Sequence, residues 1–75
     1  MAKVNVEEVA TEIANEIMSG RRFQHGLVNG YVGDCFYSDI NIYCDNKLGK
    51  RHAQKSEVYS KVCAILRENK FKIWS

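Results

Sequence analysis

The chain of 75 residues contains no proline. Nothing therefore breaks a helix or strand from within, and proline-rich linkers and polyproline recognition segments are excluded. The five glycines carry all the strong punctuation. Cysteine is sparse and odd in number: Cys35, Cys44 and Cys63 stand at wide spacings that do not form a disulfide framework. No apolar run approaches the roughly 20 residues that span a bilayer. The N-terminus, MAKVNVEEVATEI, is acidic and amphipathic and has no apolar signal core. These absences predict a soluble protein of the reducing cytoplasm, with no membrane contact.

The usual constellations of small catalytic and metal-binding proteins are missing too. Cys35, Cys44, His52 and Cys63 are separated by eight, seven and ten residues, without the tight knuckle of a structural zinc site. Cysteines in such settings behave as small buried hydrophobes. His25 and Cys35 flank a predicted hairpin, but nothing supplies an orienting group or an oxyanion hole. Asp34, Asp39 and Asp45 are too irregularly spaced for a general acid/base pair. Gly26, Gly30 and Gly33 belong to that hairpin and not to a phosphate-binding strand-to-helix turn. The expectation is a single domain over 1–75 that is not an enzyme and carries no cofactor, metal or catalytic residue.

A chain of this length buries only about 60% of its unfolded surface, so its core is small. Hydrophobic residues at 45% and aromatics at 11% are ample for folding. Net charge is +2, but unevenly spread. Residues 1–20 carry Glu7, Glu8, Glu12 and Glu16 against Lys3, whereas residues 46–75 carry eight Lys or Arg against Glu57 and Glu68.

Val6, Val9, Ala10, Ile13 and Ile17 fall at helical spacing. Asn5 suits the N-cap, with Glu8 placed for a capping box, Val4 and Val9 for a hydrophobic staple, and Gly20 as the stop. A helix over about 5–19 follows. Asn29-Gly30 between short apolar pairs predicts a type I′ hairpin joining strands within Phe23–Val28 and Tyr31–Asp45. The segment CFYSDINIYCD alternates and reads as strand 35–45, with Ile40, Ile42 and Cys44 inward. Val58, Val62, Ile65 and Leu66 predict a helix over about 53–69, capped by Ser56 or by a residue just before Gln54. Phe71–Trp74 alternates as a short returning strand.

The predicted fold class is α+β: two helices packed on one face of a small, mostly antiparallel sheet, in the order α-β-β-(β)-α-β. The open sheet face would then present Tyr37, Asp39, Asn41 and Tyr43, joined by Trp74 if Phe71 and Ile73 face inward. Tyrosine buries large area at low entropic cost, and interleaved carboxylates repel phosphate, so this face suits a protein partner better than stacked bases. The glutamate stripe of the first helix is a second candidate contact for a protein partner. The expected function is macromolecule binding, by a protein-binding regulator or inhibitor. Small phage or mobile-element proteins that block a host factor have this size and character. The alternative is a nucleic-acid binder that uses the basic loop, Lys47, Lys50, Arg51 and Lys55, ahead of a helix N-terminus. Pairing of exposed strand edges into a homodimer is a further expectation.

Overall fold

The structure, a computed structural model, describes residues 3–20 and 33–75. Its elements run α1 (Val6–Met18), β1 (Asp34–Phe36), α2 (Tyr37–Leu48), α3 (Lys55–Glu68) and β2 (Lys72–Trp74). The class is mixed α and β, as predicted. The arrangement is not: among the described residues three helices accompany a two-stranded sheet, and that sheet is parallel. The proposed Asn29-Gly30 hairpin lies outside the described residues.

α1 forms where its stripe predicts. Asn5 Oδ1 accepts the Glu8 amide proton at 3.0 Å, which satisfies one of the free donors of the first turn. Glu7 and Glu8 sit at the positive end of the helix dipole. Ala10, Ile13, Ala14 and Ile17 are buried, and Val4 and Val9 both pack on the core. Gly20 closes the helix at φ 100°, donating to the Ile17 carbonyl at 3.0 Å.

The predicted strand 35–45 is overturned. Only Asp34–Phe36 is extended, and Tyr37–Leu48 is a helix. The physical reason lies in the core. Asp39, Ile40, Tyr43 and Cys44 fall at i, i+1, i+4 and i+5, one helical face, and all four are buried. That face fills the space beside α1 and α3, which a single strand would leave open. Asp39 stands in the first turn and Lys47 in the last, each at the end of the dipole that favours its charge. Gly49 ends the helix at φ 102° and donates to the Asp45 carbonyl at 2.8 Å.

α3 matches the second predicted helix, and its largest contact is with α1. Its cap is neither Ser56, which lies within the helix, nor a residue before Gln54. Gln54 itself takes the N-cap position, and its side chain turns elsewhere. At the other end Phe71 donates to the Leu66 carbonyl at 2.8 Å and Lys70 to the Arg67 carbonyl at 3.0 Å. With Lys70 at φ 62°, these two bonds make a Schellman motif. It turns the chain directly into β2.

β2 pairs with β1 in parallel, with Asp34 opposite Lys72, Cys35 opposite Ile73 and Phe36 opposite Trp74. Parallel strands need a long crossover, here α2 and α3 in succession. Cys35 is buried and Ile73 packs on the core, as does Phe71. The other face of the ladder therefore carries Asp34, Phe36, Lys72 and Trp74.

Candidate functional site

The face predicted for a partner does not exist as a single face. On a helix Tyr37 and Asn41 lie on one side, and Asp39 and Tyr43 on the opposite side. Asp39 is fully buried and Tyr43 is 3% exposed, so a docking partner would not reach either. Asn41 is exposed and Tyr37 is half-buried. Tyr37 stacks on Tyr59 with ring centroids 6.4 Å apart and planes at 18°. Its hydroxyl accepts from Arg67 Nη2 at 2.7 Å. Burial, followed by the nearby Cys63, pushes the Tyr59 hydroxyl up to about 12.

The basic loop is partly neutralised within the chain. Lys47 Nζ lies 3.2 Å from Glu12 Oε2, which ties the end of α2 to the acidic stripe of α1. Lys55 pairs with Asp45 in a less exposed setting, with side-chain exposures of 22% and 14%. Lys50 and Arg51 remain exposed. A phosphate backbone would thus meet two of the four predicted cations already beside carboxylates. Glu8 is exposed on α1 with Glu12, whereas Glu16 is half-buried.

Cys35, Cys44 and Cys63 are buried and none is in a disulfide. Burial raises the Cys44 thiol to about 11 against the lowering influence of Lys55, and burial raises Cys63 as well. Thiols held protonated are poor nucleophiles and poor metal ligands. Among the described residues no group of three His, Cys, Asp or Glu side chains is arranged to hold a metal, and no pocket opens. No helix among them is long and apolar enough to cross a membrane. His25 lies outside the described residues.

The outer face of the β1–β2 ladder has the most defined surface chemistry. Trp74 Nε1 donates to Asp34 Oδ2 at 3.3 Å. The Lys72 ammonium lies 4.0 Å from the Trp74 ring centroid, a cation–π contact between alternate residues of one strand. The indole is thereby held from two directions while its side chain stays half-buried. Phe36 stands opposite Trp74 in the ladder, and Tyr37 follows it. The inward set of Phe71 and Ile73 was the part of the sequence pattern that pointed to Trp74. The ladder that surrounds it with Asp34 and Phe36 had no local signal, because its pairing partner lies some 38 residues away. No family model matches this chain, and no curated protein or solved structure matches it either.

Proposed function

We propose that the chain is a protein-binding regulator or inhibitor, acting by contact and not by catalysis, and that Trp74 is the centre of its docking surface. The supporting observation is the arrangement of Trp74. The ring is oriented in advance by Asp34 and Lys72 and remains partly open. Tryptophan is the residue type most enriched in binding hot spots, and an immobilised side chain loses little entropy when a partner covers it. Phe36 across the ladder adds apolar area. Three buried cysteines outside any disulfide suit a reducing cytoplasm.

The test is recovery of partners from the source cells with the tagged chain and with its Trp74→Ala variant, quantified by mass spectrometry. A protein whose recovery falls about tenfold or more with the variant supports the reading, since hot-spot truncations cost upwards of about 1.4 kcal/mol. Equal recovery by two folded baits sinks it.

A further inference from the structure

We propose that the Trp74 corner receives an acidic segment of the partner, its carboxylates meeting Arg67, Lys70 and Lys72. This rests on the protein-binding reading above and adds the chemistry of the partner. From Arg67 to Trp74 the chain carries three cations against one acid, Glu68. Arg67, Lys70 and Lys72 are all exposed. Among the described residues no carboxylate forms an ion pair with any of the three, in contrast to Lys47 and Lys55.

The fold sets two of these cations against aromatic side chains, with Lys70 in the turn between them. The Schellman turn carries the chain from Arg67 through Lys70 into β2 within a few residues. Lys72 lies on the Trp74 ring. Arg67 reaches the Tyr37 hydroxyl, and Tyr37 follows Phe36, the ladder partner of Trp74. A segment that places an apolar side chain beside Trp74 would bring its flanking carboxylates to these cations. A nucleic acid fits less well. Lys72 occupies one face of the chain's single indole, where a base would stack.

Trp74 is the single tryptophan, so its emission reports the site directly. The full chain is titrated with a peptide of about 12 residues, glutamates around two leucines, at low and moderate salt. The lysine counterpart and a single-stranded DNA of similar length serve as comparisons. Trp74 emission is expected to change with the acidic peptide and not with the lysine peptide. Arg67→Gln and Lys72→Gln, both at exposed positions, should each weaken binding by about threefold or more. The double variant Lys50→Gln with Arg51→Gln removes two exposed cations elsewhere and should leave affinity within about twofold. Unchanged Trp74 emission, tighter binding of the DNA, or equal weakening by the Lys50 and Arg51 pair would each overturn the proposal. So would a Trp74-dependent partner whose docking segment lacks carboxylates, an outcome that leaves the protein-binding reading standing.

Discussion

The side-chain amide of Gln54 binds both backbone groups of Val4. Its Oε1 accepts the Val4 amide proton at 2.9 Å, and its Nε2 donates to the Val4 carbonyl at 3.1 Å. The contact imitates a strand pairing with a side chain, and it fastens the segment before α1 to the start of α3, fifty residues later.

Gln54→Leu removes both partners from backbone groups that are partly buried. Orphaned groups of this kind cost about 1–3 kcal/mol in total when water reaches them incompletely. The urea midpoint should fall by the corresponding amount with an unchanged slope. A midpoint equal to that of the parent would show that water replaces Gln54 without loss.

Tyr43 and Asn41 separate the helix from the strand first expected there. On one alternating strand they would share a face and respond alike. On α2, Tyr43 is 3% exposed within the core and Asn41 is exposed. Tyr43→Ala should therefore cost about 3–5 kcal/mol, in the range of buried aromatic truncations. Asn41→Ala should change stability by no more than about 0.5 kcal/mol, with a slight gain from helix propensity. Similar effects at both positions in chemical denaturation would contradict the helical placement.

Lys70 holds a left-handed conformation, φ 62°, at the position of the Schellman turn where glycine is preferred. A side chain there costs about 1 kcal/mol relative to glycine. Lys70→Gly should raise the thermal midpoint by several degrees in a domain this small. A lower midpoint would mean that the Lys70 side chain contributes more than its backbone strain removes.

Stability should fall at alkaline pH. Burial raises Cys44 from its ordinary 9.0 to about 11, and Tyr59 from 10.0 to about 12. Below pH 9 both groups keep their protons whether the chain is folded or not, so they leave stability unchanged. Between 9 and 11 for Cys44, and between 10 and 12 for Tyr59, the unfolded chain loses its proton first, and unfolding becomes easier. Cys44→Ala should lower stability at neutral pH by opening a small cavity, yet flatten the decline between 9 and 11. Denaturation curves collected from pH 7 to 11 measure both effects. In the native state a thiol reagent should react slowly at Cys44 and Cys63, and all three thiols should become reactive in denaturant.

Local signals wrote α1, α3 and the final strand into the sequence. Each helix has a long apolar stripe with a single period, and α1 adds the Asn5 cap and the Gly20 stop. Phe71 and Ile73 alternate with Lys72 and Trp74, a pattern that left open which pair faces inward, and in the structure Phe71 and Ile73 pack on the core. α2 was harder because its segment satisfies two periods. Phe36, Ile40, Ile42 and Cys44 alternate as a strand would, whereas Ile40, Tyr43, Cys44 and Leu48 follow helical spacing. The charges at its ends and Gly49 beyond Leu48 were the available hints of a helix. The reading of the partner surface failed with it, since Asp39 and Tyr43 moved from an open sheet into the core.

The sequence by itself determined that the α1 and α3 segments are amphipathic helices, and where α1 begins and stops. Tertiary structure decided what only long-range packing can decide. It resolved a segment of equal local preference into a helix because α1 and α3 offered apolar surface for one more helical face. It joined Asp34–Phe36 to Lys72–Trp74 in parallel because two intervening helices supplied the crossover. Through that pairing it placed Asp34 and Lys72 about Trp74, and so set the surface on which the proposed function rests.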